Sequence, residues 1–396
     1  MSYKSLGPAR LNRITMALGL GFLSGFILYL LAGNRPESAF FRGDFPAFYA
    51  AAEIIWTGRG AELYDFALQA ALENQHWPDF AGGYYLFPYP PFFALLLAPL
   101  AAFPPLLAKG IATAILFAAF LGALLLVRGS SAFVRQHFLF CLFYLLTFAP
   151  LQIAIVGVQN TALSLLCLAL VDWARHAGRP WVTGLAAALL LYKPQFGVLF
   201  LCFLLGRGRR DELLGWALGA LLLYLLGIPV LGPAWPLPWL QAATQFGALN
   251  FTSNGNNMIS LAGLIYWGCE VTLRSGALGL PWAYLLSAGL LLLAVGYVRR
   301  DERRFVLVPS LVLLLSPQTL FYDVAIALFF LVQGLRPGHP RDFMMLAAIW
   351  LYGILALMLR DLVTFPLFSL LLLAILWLQV RSIRTRGSAL EPGWGG

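Results

Sequence analysis

The sequence predicts an all-α, polytopic membrane protein with roughly 11–13 transmembrane or re-entrant helices and a long first external loop carrying amphipathic helices. Three observations predict it. The 396-residue chain is 61% hydrophobic and only 11% charged, with a mean hydropathy of +0.81, more apolar than a water-soluble domain of this size can bury. Its apolar runs are separated by short arginine-bearing loops, and that spacing serves topology rather than nucleic-acid binding despite the net charge of +9. The 15% aromatic content, with 12 Trp, suits the two interfacial belts of a bilayer protein. The whole chain, 1–396, reads as a single integral membrane domain.

The elements follow in order. Ile14–Ala32 is too long for a signal h-region and lacks a small-residue cleavage site, so it reads as a retained first helix. Lys4, Arg10 and Arg13 precede it and place the N-terminus in the cytoplasm. Residues 34–90 then form the first external loop. Further spans read as 89–103, 107–128, 137–156, 160–174, 181–192, 196–206, 213–232, 279–298, 305–316, 321–335, 342–360 and 363–381. The arginines at 175/179, 207–210, 299–304, 336–341 and 381–386 fall inside. A second external segment covers 233–278, and its Pro/Trp run 233–239 reads as an interfacial anchor. Two full crossings between 89 and 128 would put Arg128 and Arg135 outside, so one segment between 89 and 174 is re-entrant or broken, with Pro150 as the candidate break.

Residues 181–206 go in and out in one short hairpin. At ~1.5 Å per residue each arm reaches about 18 Å, short of a hydrocarbon core of roughly 30 Å. Lys193-Pro194-Gln195 therefore turns below the surface, where a lone Lys needs water or an anion. The same geometry recurs at Gly157-Val158-Gln159-Asn160 and Ser316-Pro317-Gln318-Thr319. Three polar breaks converging from one side describe a cavity, because irregular backbone at membrane depth is tolerated where it lines one.

Residues 43–91 concentrate carboxylates, tyrosines and arginines in an otherwise apolar chain. Asp44, about ten residues past the first span, is the leading functional carboxylate. It is also a good helix N-cap, being followed by Phe45-Pro46, and a cap can still point into a site. Glu53, Arg59, Glu62 and Glu73 read better as a solvated face. Tyr64-Asp65 is a local turn or a site element. Tyr89-Pro90-Pro91 is a rigid entry into the next span, with Tyr89 available to line the cavity. Gln159-Asn160, Asn254–Asn257 and Tyr322-Asp323 are caps or turns as readily as ligands.

The four cysteines (Cys141, Cys167, Cys202, Cys269) lie in apolar segments without CxxC spacing and read as buried small residues. There is no P-loop, GxSxG, HExxH or DxD-type motif, and the four histidines are scattered. An enzyme of this composition needs a lipid-linked or otherwise metal-independent substrate; no metal and no cofactor is expected.

In order along the chain, Asp44, Tyr49, Gly58, Leu63-Tyr64-Asp65, Tyr89-Pro90-Pro91, Val158-Gln159-Asn160, Lys193-Pro194, Asn256-Asn257-Met258-Ile259-Ser260-Leu261 and Ser316-Pro317 … Tyr322-Asp323 resemble the bacterial membrane glycosyltransferases of family 87, in the GT-C superfamily. The resemblance covers most of the chain. Each motif alone is weak, while their order and spacing together are fairly specific. Some members carry histidine after the Ser-Pro element, where this chain has Gln318 to Asp323. The resemblance implies a GT-C-type fold in the bacterial plasma (inner) membrane with its active site facing the periplasm. It implies an inverting, metal-independent transfer of a sugar, typically mannose and sometimes arabinofuranose, from a polyprenyl-phosphate donor to a glycolipid or glycan acceptor among membrane lipids. Asp44 would then be the general base.

The residues suit that chemistry on their own terms. Lys193, with Arg42 or Arg59, can stabilise a departing phosphate. Gln159, Asn160, Gln195, Tyr322 and Asp323 complete the candidate donor side. Tyr49, Tyr64, Asp65, Tyr89, Asn256 and Asn257 form the candidate acceptor side, the tyrosines offering faces and hydroxyls to a sugar. The alternative is a lipid or sugar transporter or flippase without transferase activity. The paired inverted repeats expected of such a protein are not apparent in the sequence.

Overall fold

The structure, a computed structural model, describes residue 19 and residues 43–78, 84–336, 340–359 and 362–388. The first predicted span, Arg42 and the Arg360–Asp361 tip lie outside these residues. Among the described residues the protein is all-α, without a strand; one isolated antiparallel bridge pairs Met258 with Leu320. Five helices are long and apolar enough to cross a bilayer, or six if one bent pair counts as a span. The protein is a polytopic membrane protein. Several of the spans expected from sequence are instead short apolar helices that stop at prolines or polar turns.

Eighteen α-helices are described. Helices α1 (Phe45–Trp56) and α2 (Phe66–His76) precede α3 (Pro91–Leu97). Then come α4 (Pro105–Ser130), α5 (Ala132–Gln136), α6 (Phe138–Leu146), α7 (Ala149–Val156), α8 (Thr161–His176) and α9 (Pro180–Ala188). Helices α10 (Pro194–Arg207), α11 (Arg210–Leu231), α12 (Pro236–Asn254) and α13 (Leu261–Leu273) follow. The last five are α14 (Leu280–Val298), α15 (Val308–Leu315), α16 (Val324–Gln333), α17 (Pro340–Leu359) and α18 (Leu367–Ser388). Proline in the first turn opens α1, α3, α4, α7, α9, α10, α12, α14 and α15, where its fixed φ suits a helix start and its missing N–H costs nothing.

The break between 89 and 174 falls just before Pro150. Helices α6 and α7 meet at 70° across Thr147–Phe148, and Trp350 Nε1 donates to the freed Thr147 carbonyl at 3.1 Å. The expected 89–103 span is instead α3 continued by a 3₁₀ turn, packed on α1, with Tyr49 Oη donating to the Phe103 carbonyl at 2.9 Å. Ser130, at the end of α4, then reaches Asp172 near the end of α8 (3.1 Å), which carries Arg128 to the end of the molecule where Arg175 lies.

The core centres on α16, whose residues 324–332 are all buried; a helix apolar on every face belongs inside. Helices α9 and α11 approach through glycines: a Cβ on Gly184 would strike the Glu212 carbonyl, and one on Gly215 the Trp181 carbonyl.

Helices α8 and α10 define two ends. At their C-terminal ends Glu302 binds Arg175 (3.0 Å), Arg207 (2.6 Å) and Arg209 (2.9 Å), and Arg207 also binds the buried Glu212 (3.0 Å). At their N-terminal ends lie Asn160 and Lys193. With 16 and 14 residues, these helices separate the two ends by about 24 and 21 Å. Both lengths fall short of a hydrocarbon core of roughly 30 Å.

Candidate active site

A cavity of about 850 Å³ opens among these N-terminal ends, and the three polar breaks line it: Gly157 and Gln159, Lys193 to Gln195, and Pro317 to Asp323. Asp44, Tyr85 and Tyr89 from the early segment complete one side, and α12 forms the other.

Asp44 is placed by its backbone. Gly43 takes φ +38°, and the Asp44 N–H donates to the Gly157 carbonyl at 2.9 Å. A Cβ on Gly43 would collide with that carbonyl, so the contact requires glycine. Asp44 does stand at the N-cap position of α1, but its side chain makes no capping hydrogen bond. The carboxyl is therefore uncommitted to the helix and borders the cavity. Burial pushes its pKa up from 3.8 to about 7, with Lys193 pulling it down and Asp323 adding to the rise. Such a group changes protonation state near neutrality, which suits proton transfer.

Lys193 is buried, and its Nζ donates to both carboxylate oxygens of Asp323 at 3.2 Å. Thr161 Oγ1 donates to Asp323 Oδ1 at 2.6 Å, and the ammonium also lies 5.0 Å from the Phe196 ring centroid. An ammonium has three N–H donors, so one remains for the cavity. The expectation of an anion or water at Lys193 is met first by Asp323, a partner supplied by the chain itself.

The other candidates divide cleanly. Gln159, Gln195, Tyr89, Tyr322, Asp323 and Asn257 line the cavity with Asp44 and Lys193. Asn160 stands just behind: its carbonyl accepts from Tyr192 Oη (2.9 Å), and its side-chain Nδ2 is buried without a hydrogen-bond partner. Burial holds the Tyr89 hydroxyl well above its ordinary pKa, with Asp44 adding to that rise.

Five candidates are placed elsewhere. Arg59 forks onto Glu62 at 2.9 and 2.7 Å on the surface, so its charge is spent locally. Tyr49 is held by the Phe103 carbonyl, and Tyr64 Oη donates to the Tyr89 carbonyl at 2.8 Å. Asp65 caps α2, accepting from the N–H groups of Ala67 (3.0 Å) and Leu68 (3.1 Å). Asn256 is exposed outside the cavity. Glu73, expected on a solvated face, is instead fully buried; burial lifts its pKa to about 8, and Oε2 accepts from the Tyr85 N–H at 3.3 Å.

Of the wall contributed by α12, only Asn254 stands among the residues weighed from sequence as ligands. The amides of this wall are chained: Asn254 Nδ2 donates to Asn250 Oδ1 (2.8 Å), Asn250 Nδ2 to Gln318 Oε1 (3.0 Å), and Gln318 Nε2 to the Gly247 carbonyl (2.7 Å). Within the Trp run, Trp235 is buried and Trp239 Nε1 donates to the Pro88 carbonyl at 3.0 Å. The recurrence of Asn, Thr and Gln through 241–254 was the available signal.

Residues 87–317 match the family model for glycosyltransferase family 87. The chain belongs to glycosyltransferase family 87. As a family 87 protein it is a membrane glycosyltransferase, with donor and acceptor substrates to hold. No curated protein and no solved structure matches it. The matched stretch includes Tyr89, Gln159, Lys193 and Asn257, whereas Asp44, Tyr322 and Asp323 lie beyond it and join the site through the fold.

Proposed function

We propose that this family 87 glycosyltransferase moves a sugar, most simply mannose, from a polyprenyl-phosphate donor to a hydroxyl of a glycolipid or glycan acceptor, with inversion and without a metal ion. The observation that carries this reading is a carboxyl uncommitted to its helix and a buried ammonium lining one cavity of a membrane protein. In the reaction, the acceptor oxygen bonds to the anomeric carbon as that carbon's bond to the phosphate oxygen breaks. The acceptor proton passes to Asp44. The electron pair leaves with the polyprenyl phosphate, whose added negative charge Lys193 stabilises through its remaining N–H. Asp323 and Thr161 hold Lys193 in place. Gln159, Gln195, Tyr89, Tyr322 and Asn257 supply neutral hydrogen-bonding groups around the sugars.

On the positive-inside rule we read the Arg175–Glu302–Arg207 end as cytoplasmic; in this reading the cavity faces the periplasm of a bacterial plasma membrane, with the N-terminus inside. A cavity set toward one end, rather than at a midplane between repeats, favours transfer over transport.

The test is Asp44→Asn in purified protein given polyprenyl-phosphate mannose and a glycolipid acceptor. Transfer should fall by about 10²–10⁴-fold while donor binding and thermal stability persist. Wild-type turnover in the variant would remove the base assignment, and absence of transfer by the wild-type protein across a panel of polyprenyl-phosphate sugars would remove the donor class.

A further inference from the structure

The lining of the cavity is uneven in chemistry. Asp44, Lys193 and Asp323 are its charged residues, and Lys193 and Asp323 both act on Asp44. The wall from Trp239 to Tyr284 contains no Asp, Glu, Lys, Arg or His among the described residues. That wall is nonetheless polar, and part of it is already satisfied. The amides of Asn250, Asn254 and Gln318 are consumed in their own chain and fasten α12 to the 316–320 segment.

Two neighbouring groups are not consumed. The Met258–Leu320 bridge, reinforced by the Ile259 N–H donating to the Thr319 carbonyl at 2.8 Å, fixes Asn257 and Thr319 in adjoining backbone segments. Asn257 Oδ1 and Thr319 Oγ1 are buried and lack a hydrogen-bond partner, and Gln159 Oε1, also lining the cavity, is in the same condition. Buried polar atoms are nearly always paired, so a group of unpaired ones around a cavity marks where a ligand's polar atoms go. A hydroxyl both donates and accepts, so it satisfies a threonine hydroxyl or a side-chain amide in either orientation. A ring carboxylate brings acceptors alone and has no hydrogen to offer Asn257 Oδ1 or Gln159 Oε1. Trp239, held by the Pro88 carbonyl, adds a fixed aromatic surface for the apolar face of a ring.

We propose that Asn257 and Thr319, with Gln159, form a subsite for an uncharged, hydroxyl-bearing sugar ring that discriminates against uronic acids. This rests on the transferase reading above, and the ring belongs either to the acceptor or to the donor sugar.

Asn257→Leu and Thr319→Val delete the polar atoms at nearly constant volume, and neither residue's unpaired atom holds the fold. Both variants should unfold at or above the wild-type temperature. Gln318→Leu, which breaks two internal hydrogen bonds, should unfold below it. Ligand-observed NMR in detergent, with octyl α-mannoside and octyl glucuronide as probes, requires no turnover. The wild type should bind the mannoside at least ten-fold more tightly than the glucuronide. An acceptor ring is indicated if the two variants lose about ten-fold in mannoside binding with donor KM unchanged. A donor ring is indicated if KM for polyprenyl-phosphate mannose rises by that factor instead. Thr319→Ser should retain wild-type values in either case. Equal binding of glucuronide and mannoside overturns the proposal, as do stable variants in which neither mannoside binding nor donor KM moves. A wild-type protein that binds mannoside selectively but transfers nothing would leave the subsite standing and remove the transferase reading.

Discussion

Lys193 Nζ lies 3.2 Å from each carboxylate oxygen of Asp323, in a pair whose side chains are only 7% and 4% exposed. The two residues are 130 positions apart, so the pair ties the turn before α10 to the turn before α16. Removing one partner leaves the other charge buried without compensation. Asp323→Asn or Lys193→Met should each destabilise the protein by about 3–5 kcal/mol, while the double substitution should recover most of that loss. Thermal unfolding of the four proteins in detergent gives the cycle, and a coupling energy near zero would contradict the pairing. If Lys193 also serves the donor phosphate, the double variant should be stable and nearly inactive.

The raised pKa of Asp44 predicts a signed pH dependence. A general base must be deprotonated, so kcat/KM should rise about ten-fold per pH unit below about 7 and level off above it. Stability should move the other way. Asp44 titrates near 3.8 when unfolded and about 7 when folded, so between these values the folded state holds the extra proton. Stability attributable to Asp44 is therefore full below pH 4 and is lost as pH rises through 7. Asp44→Asn should remove this part of the slope, which urea or thermal unfolding at pH 4.5 and 7.5 can measure.

The helix ends and the cavity were legible because prolines and polar triplets interrupt apolar runs, and those interruptions are where the structure breaks. Gly157–Asn160, Lys193–Gln195 and Ser316–Thr319 needed no alignment to stand out. Side-chain partners were not legible. Tyr49 and Tyr64 look like sugar-binding tyrosines in sequence, yet each hydroxyl goes to a carbonyl 54 or 25 residues away. Asp65 precedes Phe66-Ala67-Leu68 and caps a helix, while Asp44 precedes Phe45-Pro46 and does not; Asp65 has the extended backbone of a capping residue (ψ 100°), whereas Asp44 is helical (ψ −3°). Helix α12 was read as an external stretch because its Pro, Trp and amide residues interrupt the apolar pattern.

Gly43→Ala isolates the placement of Asp44. A positive φ costs a non-glycine residue about 1–2 kcal/mol, and here the added Cβ also meets the Gly157 carbonyl that accepts from Asp44 N–H. The prediction is lower stability together with a loss of at least ten-fold in kcat, since a small displacement of a base is expensive. Gly58→Ala is the matched control. It has φ +76° but open space around the new methyl, so it should cost only the backbone penalty of about 1–2 kcal/mol, less than Gly43→Ala, and leave kcat within two-fold. Equal kcat in both variants would detach Asp44's position from activity.

Gln69 tests whether the early segment is a wall or a decoration. Its side chain is fully buried; Oε1 accepts from the Phe87 N–H at 2.9 Å, and Nε2 donates to the Leu63 carbonyl at 2.6 Å. It thereby fastens α2 to the extended stretch that presents Tyr89 to the cavity. Gln69→Leu keeps the volume but leaves a backbone donor and a backbone acceptor buried and unpaired, at about 1–3 kcal/mol each. The protein should lose about 2–4 kcal/mol in all. Activity should fall through KM more than kcat, because Tyr89 shifts while the Gly43–Gly157 contact that places Asp44 is untouched. Gln69→Glu can still accept from Phe87; protonated it can donate to the Leu63 carbonyl, and ionised it buries a charge against it, so its stability should fall as pH rises. A Gln69→Leu protein with wild-type unfolding and wild-type KM would mean that residues 84–89 hold their position without α2.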